Sequence, residues 1–103
     1  MRVLVIPPAA QRDEDAVQML SAWIAEQGMH CTLNISMWHE AGRNEPKAWG
    51  VLLADVVRHI ANAIQHERGA PAEETAEAIV AALLRELESP TSEATGDFSP
   101  GHS

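Results

Sequence analysis

The stretch Trp49–Ile64, WGVLLADVVRHIANAI, limits what this chain can fold into more than any other segment. On a 3.6-residue period Trp49, Leu53, Val56, Val57, Ile60 and Ile64 share one wide apolar stripe, with Asp55, His59, Asn62 and His66 on the opposite side. Such a face must be buried against something. Pro46 fits the first turn and Gly69 the end, so the helix is expected from Pro46 to about Glu67. Pro71 then opens a second helix with Glu73 and Glu74 at the positive end of its dipole, and Pro90 stops it. Its own stripe, Ala76, Ile79, Val80, Leu83 and Leu87, predicts an antiparallel hairpin against the first.

Upstream, the β-branched run Arg2–Ile6 reads as a short strand stopped by Pro7 and Pro8. Asp13 is a candidate N-cap for a helix ending at Gly28, with Ala16, Val17, Leu20, Trp23 and Ile24 as its apolar stripe. Met29 to Met37 alternates: Met29, Cys31, Leu33, Ile35 and Met37 face one way, His30, Thr32, Asn34 and Ser36 the other. That pattern is a strand with one buried face. It pairs either with Arg2–Ile6 through a parallel crossover or with a second copy of itself. The expected class is α/β (α+β), two short strands with three helices, the last two forming an antiparallel hairpin on the sheet. One compact domain should cover 1–89, followed by a disordered tail over 90–103, which is rich in Ser, Thr, Gly and Pro.

Charge narrows the partners. Fifteen acidic against seven basic residues give a net charge of −8, and no Lys/Arg run occurs. A nucleic-acid or anionic-membrane surface needs a clustered positive field, so neither is expected. The single cysteine, Cys31, cannot form an intrachain disulfide and suits a reducing cytoplasm. The apolar run Val3–Ile6 is too short for a leader's hydrophobic region, and no stretch reaches the roughly 20 apolar residues of a membrane span. Aromatics are few, so the core must be thin and aliphatic. Thinness and open strand edges together predict a homodimer or higher homo-oligomer.

The combination AWIAEQGMHCTLNISMW followed by AWGVLLADVVRHIANAI resembles a small bacterial family described as a domain of unknown function. The resemblance rests on a W-G-x-x-L-A-D-x-x-x-H-x-A pattern, matched by Trp49, Gly50, Leu53, Ala54, Asp55, His59 and Ala61. Trp23, Ile24, Ala25 and the strand bearing His30 extend it over roughly residues 3–88. It implies a compact α/β domain and brings no activity, cofactor or catalytic residue.

Five residues are candidate ligand contacts: His30, Trp38, Trp49, Asp55 and His59. Asp55 and His59 stand four apart on one helix side, where a carboxylate can orient an imidazole. The competing assignment is a solvated helix side carrying a local Asp–His pair. His30 joins them only if its strand face meets that helix. Trp38 and Trp49 flank a loop holding His39 and Arg43, which suits either an aromatic recess for an anion or two rings plugging a thin core. Cys31 shares its face with Met29, Leu33 and Ile35 and reads as an inert buried thiol. No phosphate loop, nucleophile elbow, paired-Cys zinc spacing or HExxH is present, and no cofactor or metal is expected. The leading expectation is a non-enzymatic cytoplasmic interaction or accessory module. The alternative is a protein or enzyme using Asp55, His59 and His30 around a divalent metal or small ligand.

Overall fold

A side chain starts the longest element. Asn44 Oδ1 accepts the Lys47 N–H at 3.1 Å, and Pro46 follows, where a missing N–H is harmless. The helix, here α3, runs Glu45–Arg68 and ends at Gly69, whose φ of 75° lets its N–H reach the Gln65 carbonyl at 2.7 Å. A three-residue link leads into α4, Ala72–Glu88. So short a connection returns the chain antiparallel, and the two helices pack on each other. Ala61, 1% exposed, is the buried apolar residue at this contact; a methyl group there lets the helices approach closely. Both helices match the boundaries expected of them.

The computed structural model describes residues 1–91 and 94–100, the latter stretch as backbone. Within the span expected to be one domain, contacts gather in two units: Trp38–Glu93, which holds α3 and α4, and Met1–Met37 with the strand that starts at Ala94.

The second unit keeps the α+β class but assigns its elements differently. A five-residue helix, α1 (Pro8–Arg12), begins at the proline pair. Asp13 does not cap a long helix. Its N–H closes α1 on the Ala9 carbonyl (3.1 Å), and its Oδ1 accepts the Asp15 N–H (2.9 Å). The helix expected over 13–27 is replaced by β1, Leu20–Ala25, which turns into β2, Gly28–Ile35. They pair antiparallel from Leu20↔Leu33 to Ala25↔Gly28. The turn residues Glu26 and Gln27 both have positive φ, 50° and 63°, the geometry of a two-residue hairpin turn whose twist matches its strands. The physical reason for the difference is that Leu20, Trp23 and Ile24 fit a helical stripe while Leu20, Ala22 and Ile24 also alternate. Cross-strand pairing with Leu33, Cys31 and Met29 decides for the strand.

The strand expected at Arg2–Ile6 forms no ladder. Strand-forming side chains do not supply the neighbouring edge that a strand requires. The alternation expected from Met29 is present in β2, and Met37 starts a one-turn helix, α2 (Met37–Glu40). Of the tail expected to be disordered, Ala94–Pro100 is β3, parallel to β2 from Met29↔Ala94 to Ile35↔Pro100; residues 92–93 and 101–103 lie outside the described residues. The sheet order is β1-β2-β3. Gly96 has a φ of 143°, and a Cβ there would collide with the Cys31 carbonyl, so only glycine fits. Asn34, 3% exposed, sends its N–H to the Met19 carbonyl (3.0 Å) and its Nδ2 to the Met37 sulfur (3.8 Å). Its Oδ1 has no partner among the described residues.

Candidate ligand-binding groove

The loop before α3 is tied at both ends. The Gly42 N–H donates to the His39 carbonyl (3.0 Å) and the Arg43 N–H to the Trp38 carbonyl (2.9 Å). Asn44 then caps α3. These bonds hold Trp38 and Arg43 beside the first turns of the helix. Trp38 meets Trp49 edge to face, centroids 5.3 Å apart at 82°, and the Trp49 indole N–H donates to Glu45 Oε2 at 3.3 Å. The two rings therefore brace each other.

Along this side of α3 lies an open groove of about 900 Å³. Trp38, Arg43 and Lys47 line one end of its sequence span, Asp55 and His59 the other, and Val51, Leu52 and Val56 supply apolar wall. The structure thus gathers three of the five candidate residues, Trp38, Asp55 and His59. Trp49 serves as a brace for Trp38. His30 belongs to β2 in the other unit, in register with Trp23, whose indole N–H donates to Ser21 Oγ at 2.9 Å.

Asp55 is committed elsewhere. Its Oδ1 accepts from the Arg58 guanidinium, one turn on, and both side chains are well exposed. An exposed pair of this kind contributes about 0.5 kcal/mol or less. The i,i+3 spacing makes Arg58 a partner that the sequence itself offers, beside the i,i+4 His59. Lys47 and Val51 belong to no motif, and only the path of the preceding loop puts Trp38 beside them. Cys31 is half-buried, opposite Ala22 in the hairpin. Among the described residues, no three His, Cys, Asp or Glu side chains gather to hold a metal ion.

The family model for a domain of unknown function, DUF5076, matches residues 3–91. The chain belongs to the DUF5076 family. This agrees with the resemblance read from Trp23 to Ala61, and it assigns no chemistry to this DUF5076 protein. A solved structure described as "Structure of a putative pyruvate dehydrogenase from the photosynthetic bacterium Rhodopseudomonas palustrus CGA009" is similar to it. The two share 29% identity over 92% of each chain, with a TM-score of 0.68. Among curated proteins none matches. No helix among the described residues of the DUF5076 chain is long and apolar enough to cross a membrane.

Proposed function

We propose that this chain is a cytoplasmic, non-enzymatic interaction module that works as a homo-oligomer, its 1–89 span acting as one domain finished by a second copy. The observation that carries this reading is the number of large apolar side chains that the described residues leave exposed. Leu53 and Ile60 on α3, Val80, Leu83, Leu84 and Leu87 on α4, and Val3–Ile6 are all exposed, Leu87 by 72%. Surfaces of this kind mark association sites.

The Rhodopseudomonas protein's description names a dehydrogenase, and a shared fold does not by itself transfer a chemistry. Here the acidic group of the groove, Asp55, is exposed and already paired with Arg58. The reading therefore stays with interaction. Sedimentation equilibrium at micromolar concentration tests it. A dimer or larger species is expected, and Leu84→Glu with Leu87→Glu should shift the mass downward if α4 carries the contact. A wild-type species of 11.2 kDa across that range overturns the reading.

A further inference from the structure

The groove beside Trp38 is lined by more cationic side chains than anionic ones, in a chain that is acidic overall. The protein carries −8 overall, yet the groove lining holds Arg43 and Lys47 against a single carboxylate, Asp55. That carboxylate is already matched by Arg58, and the nearby Glu45 carboxylate accepts the Trp49 indole N–H, so among the lining side chains the two cations outnumber the one anion. Two further features suit a ligand. The Trp38 ring is braced by Trp49, and the loop bonds at Gly42 and Arg43 hold the groove's mouth, so little order has to be gained on binding. The wall between the cationic end and His59 is aliphatic, formed by Ala48, Val51, Leu52 and Val56. Its volume lies in the range of small-molecule sites.

We propose that this groove binds a small amphiphilic monoanion, a carboxylate carried on an apolar body. The carboxylate pairs with Arg43 and Lys47. Guanidinium suits it because a planar fork matches two carboxylate oxygens, while the lysine adds a mobile point charge. The apolar body lies over Trp38 and along Val51, Leu52 and Val56, where each methylene removed from water adds to binding. Charge and apolar area are each modest here. The ligand must offer both, so a neutral molecule of the same shape or a small anion without an apolar body binds poorly.

Octanoate is the probe, with octanamide and acetate as its uncharged and bodiless counterparts. Amide chemical shifts of the 103-residue chain are followed by NMR during titration to about 10 mM, a range that captures dissociation constants near 1 mM. Octanoate should shift amides within 38–59 in a saturable way, with octanamide and acetate at least about tenfold weaker. The Arg43→Glu, Lys47→Glu double variant should lose the octanoate response. Both positions are exposed, and glutamate in the first turn of α3 favours the helix dipole, so the variant is expected to fold. Far-ultraviolet circular dichroism checks this. Equal response to octanamide, shifts scattered over the chain, an unaltered response in a folded double variant, or no saturable shift overturns the proposal. Sedimentation of the same samples keeps this independent of self-association. Binding to a monomer would leave the groove standing and remove the oligomer.

Discussion

The helical unit and the sheet unit reach order by different routes. In Trp38–Glu93 each boundary is fixed by residues within a turn of it: Asn44 at one end of α3, Gly69 at the other, Pro71 at the head of α4. In the sheet unit, order comes from pairing. β1 is a strand because Leu20 faces Leu33, and β3 lies at the β2 edge some 60 residues of sequence away from it. The comparison teaches that local signals finish helices but only begin sheets. It also shows where stability resides. Apart from Ala61 and Asn34, neither unit buries a described side chain fully, so each depends on a few close contacts.

The largest effect should come from the point where the helical unit is tightest. Ala61→Leu forces extra methylenes between α3 and α4 and should cost about 1–3 kcal/mol, lowering the melting temperature measured by circular dichroism. Ala61→Gly removes the buried methyl group and weakens the helix by about 1 kcal/mol but forces nothing apart, so it should be the milder of the two. If leucine is tolerated as well as alanine, α3 and α4 do not depend on close approach there, and the contrast between the units fails.

A smaller effect of opposite sign is expected in the sheet unit. Glu26 and Gln27 hold left-handed φ values that asparagine and glycine adopt more readily. Glu26→Asn with Gln27→Gly should stabilise the hairpin by about 0.5–1 kcal/mol, seen as slower amide hydrogen exchange at Trp23 and His30, a pair whose N–H groups bond across the hairpin. Unchanged or faster exchange would argue against this turn.

That turn also shows why part of the fold was hidden in the sequence. Asn-Gly would have announced a hairpin; Glu-Gln announces nothing, and Ala16 to Ile24 satisfies a helical period equally well. Arg2–Ile6 has strand-forming side chains and no edge, whereas Ala94–Pro100 has an edge and no apolar period. By contrast Pro46, Gly69 and Pro71 marked the helical hairpin correctly, because caps act on their own neighbours. The candidate groove was legible in the same proportion. Trp38, Arg43, Asp55 and His59 declare themselves by type, but Lys47 and Val51 join them only through the course of the 38–44 loop, and Arg58's claim on Asp55 had to compete with His59's.

The smallest effect tests whether local capping in the helical unit reaches past α4. Glu86, in the last turn, accepts the Thr91 hydroxyl at 2.6 Å and the Thr91 N–H at 3.0 Å. The hydroxyl first, then the backbone N–H, stabilises the carboxylate and holds Glu86 below its usual 4.5. A depressed carboxyl contributes stability that is present above its unfolded value and is lost as pH falls through the folded one. The contribution should therefore be intact from about pH 5 upward and fade below 4.5. Thr91→Val removes the hydroxyl and leaves the N–H. Glu86, followed by carbon-detected NMR, should then titrate closer to 4.5, and the acid limb of the stability curve should lose this component. Full exposure of Glu86 makes the change small, so the titration rather than the melting temperature is decisive. Identical titration in wild type and Thr91→Val would mean that the carboxylate does not hold Thr91, and that the local control seen at Asn44 and Gly69 stops at Ser89, where the N–H bonds back to Arg85.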